Sequence, residues 1–152
     1  MVDIAPHITV KVASDPALYA ETLRIRQQVF VEEQGVPATL EVDGYEGQAT
    51  HFIAFIDETA VGCGRFRLKH EPEPLVKFER IATLPEMRGK GVGAAVMALM
   101  EQEAASRHPG IPWIMHAQTS AATFYDRLGW RRVGPLFSEA GIWHVAMRKD
   151  AP

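Results

Sequence analysis

The chain has 152 residues, of which 47% are hydrophobic and 23% charged, with a formal net charge of -3 and one cysteine. That length fits one domain with a core of ordinary size, and the balance of apolar to charged residues excludes a disordered or fibrous chain. The slight acidity argues against nucleic-acid or anionic-membrane partners, leaving a local basic turn able to hold a small anion.

Cys63 cannot form an internal disulfide, and residues 1–10, MVDIAPHITV, carry neither a basic leader nor a continuous apolar stretch. No apolar run approaches the roughly 20 residues that cross a bilayer. The expected address is therefore the cytoplasm, with no membrane partner.

In chain order, HITVKVA alternates as a strand does, and Ser14, Asp15 and Pro16 then supply a cap candidate and a proline for a first helical turn. Leu18, Thr22, Ile25 and Val29 share a helix face, and Gly35 with Pro37 predicts a stop at about Gln34. GVPATLEVDGYEGQAT is polar and long for a connection, which marks a functional loop. HFIAFID and AVGCGRFRLK form a hairpin, EPEP turns the chain, and LVKFERIAT extends the meander. A helix runs from Gly91 to about Arg107, followed by the strand IPWIMHAQ, a short helix from Thr119 or Ser120 to Gly129, and a closing strand pair, WRRVGPLF and GIWHVAMRK. The pattern predicts a mixed α/β sheet with helices on both faces.

The richest chemistry lies in RIATLPEMRGKGVGAAVMALM, residues 80–100. A strand there runs into a turn of three glycines and two cations, and a helix follows. Unpaired N–H groups and the helix dipole make such a start an anion seat. Gly89, Gly91 and Gly93 let backbone approach a ligand, while Arg88 and Lys90 add charge. A diphosphate suits this turn best. A Walker loop fails, because position 84 is leucine and Lys90 precedes Gly91. Gly89, Gly91 and Ala94 do satisfy the G-x-G-x-x-A variant of the dinucleotide fingerprint, but MHAQTS offers no acid where that fold needs one.

Arg88 to Gly93 also reads R-x-x-G-x-G, and together with RIRQQVFVEEQGVP, HAQTSAATFYDRLGW and FSEAGIWHVAMRK it resembles the GNAT acetyltransferase superfamily, in its ElaA-like branch, over residues 8–149. The resemblance implies one GNAT domain over residues 1–152, with a mostly antiparallel sheet whose central parallel strand pair splays at a β-bulge. It implies acetyl-CoA as cofactor, its pantetheine arm bonded by main chain at Ile81, Ala82 and Thr83. The backbone of Arg88, Gly89, Lys90, Gly91, Val92, Gly93 and Ala94 would hold the diphosphate, with Gln118 and Phe124 nearby. One N–H in the splayed region would polarise the thioester carbonyl.

By the same resemblance Tyr125 protonates the leaving thiolate; otherwise Phe124, Tyr125 and Leu128 are one helix's core stripe. Glu79 matches a position where relatives carry an acidic base and reads equally as a solvent-facing or ion-paired strand residue; strand alternation turns Arg80 to the opposite face. His116 and His144 are rival bases, since histidine titrates nearest neutrality. Arg26, Glu33, Asp43, Arg65, His116 and His144 are candidate acceptor ligands, and each has a plain structural reading as an ion-paired or strand-end residue. No metal spacing is present.

The expected activity is direct acetyl transfer to a primary amine of a small molecule or peptide, with Cys63 unsupported as a covalent nucleophile for want of a partnered histidine. A non-catalytic acyl-CoA sensor and an NAD-binding oxidoreductase are the alternatives. A second copy of the chain, as a homodimer, stays open as a partner.

Overall fold

The computed structural model describes residues 7–152; the leader reading of the first six positions lies outside them. Strand β1 (Ile8–Val12) leads into helix α1 (Pro16–Arg26), which continues as a wider π-helical turn over Gln27–Glu33. Asp15 caps α1, its carboxylate accepting from the Leu18 N–H at 2.9 Å, and Pro16 occupies the first turn. The connection that follows contains the short helix α2 (Ala38–Glu41) and a 3-10 turn at Glu46–Gln48. Strands β2 (Thr50–Ile56), β3 (Thr59–Lys69) and β4 (Leu75–Thr83) form the expected meander. Helix α3 (Val92–Arg107) and strand β5 (Trp113–Gln118) come next, followed by α4 (Ala122–Arg127), β6 (Arg131–Arg132), β7 (Phe137–Glu139) and β8 (Ile142–Lys149).

The strands make one sheet in the order β1-β2-β3-β4-β5-β8-β6, with β7 paired to β8. Among the described residues only β4 and β5 run parallel. The dinucleotide reading of the glycine turn fails here, since that fold requires a parallel sheet built from repeated crossovers. Helix α1 covers β2 to β4 on one face through Ile25, Val29, Ile53, Cys63 and Ala82. Helix α3 covers the other through Val92, Val96, Met97 and Met100, joined by Phe66, Phe78, Trp113 and Trp130.

Parallel pairing between β4 and β5 lasts three rungs, ending at Phe78 with Met115. Beyond it β4 carries an extra residue: Arg65 pairs with Glu79 and Cys63 with Ala82, two steps on β3 against three on β4. Arg80 takes up the difference in a left-handed conformation, φ 57°. This is a β-bulge, and it turns the strand away from β5. Side chains record it. Phe78 and Ile81 pack toward α3, Ala82 packs toward α1, and both Glu79 and Arg80 meet the ion network on the α1 side. The expectation that Arg80 turns away from Glu79 is thus corrected, because the bulge inserts one residue into the alternation.

Close approach of α3 depends on two glycines in β3. A Cβ on Gly62 would lie 2.6 Å from Val92 Cγ1 and 3.2 Å from the Ala82 carbonyl, and one on Gly64 would lie 2.6 Å from the Met100 sulfur. Val92 is β-branched and opens α3, so it has little room to give. Gly62→Ala is expected to cost about 1–3 kcal/mol through overpacking, a fall in Tm of about 2–10 °C. An unchanged thermal melt would contradict the tight seating of α3 on β3.

Candidate active site

Where β4 and β5 part, a cleft of about 520 Å³ opens. Its floor is residues 77–81 of β4 and 115–118 of β5; Phe30, Gln34, Leu40 and Asp43 form one wall, and Glu139, Ile142 and His144 another. Tyr125 and Ala121 reach it from the α4 side. The cleft therefore passes through the sheet, from the α1 face to the face carrying α3 and α4.

The glycine turn lies at the start of α3, outside the cleft lining. Gly89 and Gly91 hold positive φ of 78° and 90°, and Gly91 caps the helix in the left-handed conformation that glycine adopts without penalty. The first backbone bond of the helix runs from the Ala95 N–H to the Gly91 carbonyl, 3.1 Å, which leaves the N–H groups of Val92, Gly93 and Ala94 without intrahelical partners. Val92 and Ala82 have buried side chains and can meet a ligand only through main chain. A Cβ on Gly93 would lie 3.3 Å from the Phe124 ring, so Phe124 lies against the first turn of α3. Arg88 spans Glu33 with two bonds of 2.7 Å and donates to the Thr83 carbonyl at 3.1 Å. Glu33, expected as an acceptor ligand, instead holds this cation beside the turn.

Tyr125 is buried, and burial pushes its phenol above the ordinary value. The raised value keeps the phenol protonated at neutral pH, and Tyr125 lines the cleft. Gln118 donates to the Gln34 side-chain carbonyl at 2.7 Å and accepts from its amide at 3.3 Å, tying the end of β5 to the end of the π turn. Cys63 is buried under α1, where burial raises its thiol to about 12. Such a thiol is no nucleophile.

The charged residues divide into an internal frame and a cleft wall. Arg26 is buried, bonds both Glu41 carboxylate oxygens at 2.9 and 3.0 Å, and donates to the Glu41 carbonyl. Arg65 is fully buried between Asp43, Glu46 and Glu79. Arg80 bonds Glu41 at 2.8 Å and Asp43 at 3.3 Å. The expectation that Arg26 and Arg65 bind an acceptor is corrected: neither lines the cleft, and their guanidinium groups are consumed in holding the 35–49 connection. Asp43 does line it, but belongs to Arg65 and Arg80.

Glu79 lines the cleft within reach of Arg65, Arg67 and Lys77, at 3.1, 2.8 and 3.4 Å. Burial alone would raise its pKa, but Arg65, Lys77 and Arg67 outweigh it and hold the carboxyl below its ordinary value. Glu79 thus matches its reading as an ion-paired strand residue: three cations hold it ionised, which weakens it as a proton acceptor, and it anchors the frame.

His116 and His144 do come together, around a residue that sequence reasoning missed. His116 Nδ1 lies 3.2 Å from Glu139 Oε1, and His144 Nε2 lies 3.7 Å from Glu139 Oε2. The hydrogen bond from His116, working against partial burial, holds the Glu139 carboxyl down to about 2.

The family model described as an acetyltransferase (GNAT) domain matches residues 12–151. The chain belongs to the GNAT acetyltransferase family. GNAT members use an acyl-CoA donor and act on amine acceptors, which makes the chain an acyltransferase. YjcF of Bacillus subtilis, described as an uncharacterized N-acetyltransferase, is 36% identical over 140 residues, covering 91% of this chain and 97% of that one. ElaA of Escherichia coli is 27% identical over 134 residues, covering 88% and 87%. An acyl-CoA N-acyltransferase from Pseudomonas aeruginosa superimposes with a TM-score of 0.80 at 28% identity, covering 95% of this chain and 99% of that one. Among the described residues no helix is long and apolar enough to cross a membrane.

The carboxylates of the site carry a pH dependence. Asp43 is held low by Arg65 and other hydrogen bonds that override burial, Glu79 by its three cations, and Glu139 by His116. An unfolded carboxyl titrates at about 4, so in acid the unfolded chain binds more protons and stability rises with pH. Their contribution is complete above about pH 5 and is lost as pH falls through the folded-state values. Thermal melts between pH 3 and 6 are expected to show Tm climbing to about pH 5. A Tm that is flat or falls over that range contradicts the frame.

Proposed function

We propose that the protein transfers the acetyl group of acetyl-CoA to a primary amine of a small molecule or peptide, by direct attack in a ternary complex. The observation that carries this reading is the cleft that the β4 bulge opens between two parallel strands, with a protonated tyrosine on one side and a glycine-rich helix start at the end of β4. The residues fit the cofactor. N–H groups at Gly89 to Ala94 are free for a diphosphate, and beyond Phe78 the β5-facing main chain of β4, around Ile81 and Thr83, has no strand partner and can bond an extended amide-bearing arm. When bound there, acetyl-CoA supplies an acyl group activated as a thioester.

The chain's own residues do the rest. The amine nitrogen forms its bond to the acetyl carbon as the carbon–sulfur bond breaks, the electron pair leaving on sulfur. Tyr125, whose burial keeps it protonated at neutral pH, gives its hydroxyl proton to that sulfur and recovers one from the nitrogen, whose surplus proton becomes acidic as the new bond forms. The cleft wall from α2 and the 35–49 connection shapes the acceptor side, and the buried ion network keeps that wall rigid. Cys63, buried and with its thiol at about 12, takes no part.

Thiol release from acetyl-CoA, measured across amines, amino acids, polyamines, aminoglycosides and peptides, tests the reaction. Tyr125→Phe is expected to lower kcat by about 10²-fold while changing acetyl-CoA affinity little. Unchanged turnover would remove the acid role. Protection of the fold by acetyl-CoA with no thiol released from any acceptor would instead favour a non-catalytic sensor.

A further inference from the structure

Glu79 and His116 occupy matching positions: each is the first residue past the last β4–β5 rung, Phe78 with Met115. Phe78 and Met115 point into the core beneath α3, so the next residue on each strand faces the α1 side. The two side chains flank the mouth of the gap on the face where the acceptor cleft lies. Glu79 is spent on Arg65, Arg67 and Lys77. His116 is not. Its single hydrogen bond among the described residues uses Nδ1, and its side chain is 30% exposed.

The partner at Nδ1 decides the tautomer. An ionised carboxylate only accepts hydrogen bonds, so the nitrogen facing Glu139 carries the proton and neutral His116 presents the lone pair of Nε2. His144 is arranged differently. Its Nδ1 lies 2.7 Å from the Ile142 carbonyl, which again only accepts, and its Nε2 turns toward Glu139. This ring is buried, with Nδ1 bonded inside the β7–β8 hairpin and Nε2 3.7 Å from Glu139, too far for a hydrogen bond. Phe137 packs against both imidazoles, at 5.0 and 5.8 Å between ring centres, and holds the group together. The charged groups facing Glu139 are His116 from β5, His144 from β8 and Lys77 from β4.

We propose that His116, oriented by Glu139, is the proton acceptor for the attacking amine, with His144 a positioning residue behind them. This rests on the acyl-transfer reading and deepens it. Bound as an ammonium, the acceptor loses one proton: its N–H bond breaks, the electron pair stays on nitrogen as the nucleophile, and the proton forms an Nε2–H bond on His116. Glu139 stabilises the resulting imidazolium, which returns the proton to water through the open cleft. The arrangement favours an acceptor that arrives cationic, a primary amine whose charge meets Glu139 on approach.

Two experiments decide it. Side-chain nitrogen-15 NMR of the wild-type protein, above the pH at which its histidines are protonated, is expected to show His116 with the proton on Nδ1; a proton on Nε2 overturns the proposal without any turnover assay. In thiol release with spermidine, lysine, phenylethylamine, kanamycin and a lysine peptide as probe amines, His116→Ala is expected to lose about 10²-fold in kcat, with the KM for acetyl-CoA within threefold of wild type and activity partly restored by added imidazole. Glu139→Gln, whose amide can donate to Nδ1 and so favour the wrong tautomer, is expected to lose tenfold or more without imidazole rescue. Wild-type turnover with a His116→Ala variant that stays within threefold, or is not rescued, overturns the assignment and leaves acetyl transfer standing. Failure of the wild type on every probe amine overturns the acyl-transfer reading itself.

Discussion

One extra residue in β4 is the constraint on which the rest of the site depends. Left-handed backbone at a residue other than glycine costs on the order of 1–3 kcal/mol, and it persists only where its surroundings hold it. Arg80 is held by what its side chain reaches. Its guanidinium bonds the Glu41 carboxylate, the Leu40 and Glu41 carbonyls and Asp43. Only this backbone conformation brings one guanidinium to all four groups, which is what holds the bulge in place. The same contacts tie the bulge, which opens the gap, to the connection that walls one side of the cleft. The gap and that wall are thus joined by one arginine.

Behind that arginine lies a network of Arg26, Arg65, Glu41, Asp43, Glu46 and Glu79 that is mostly removed from water. Buried ion pairs are not an efficient source of stability, because desolvation cancels much of the attraction. They do give geometric definition: each guanidinium fork meets carboxylates at short range, and the connection has few buried apolar side chains to hold it otherwise. Arg26 Nη1 and Arg65 Nε are buried without a hydrogen-bond partner, so the frame is not perfectly satisfied. Rigidity matters here because acyl transfer needs its reacting groups held within about 0.5 Å of the productive geometry.

Much of this was legible in the sequence where the information is local. The Asp15 cap, the positive-φ glycine stop at Gly35, the limits of α3 and the glycine turn all follow from neighbouring residues. The family resemblance added the parallel pair and its splay. What could not be read was non-local. Alternation placed Arg80 on the wrong face, because a bulge is set by the opposing strand and leaves no mark such as glycine at position 80. Arg26 and Arg65 look like ligand-binding arginines until the connection folds back with its carboxylates. Glu139 was overlooked since it belongs to a three-residue strand whose partner His116 is 23 positions away. Gly62 and Gly64 carry a signal in hindsight: two glycines at alternate positions of a strand mark close approach by another element.

The central claim is that the gap beyond Phe78 and Met115 receives the cofactor's arm as a further strand would be received. A crystal structure with acetyl-CoA tests it most directly. The account predicts density for the arm between β4 and β5, bonded to the main chain near Ile81, with the diphosphate against the N–H groups of residues 89–94. Acetyl-CoA bound elsewhere, or residues 79–82 and 116–118 paired to each other with the gap closed, would contradict it.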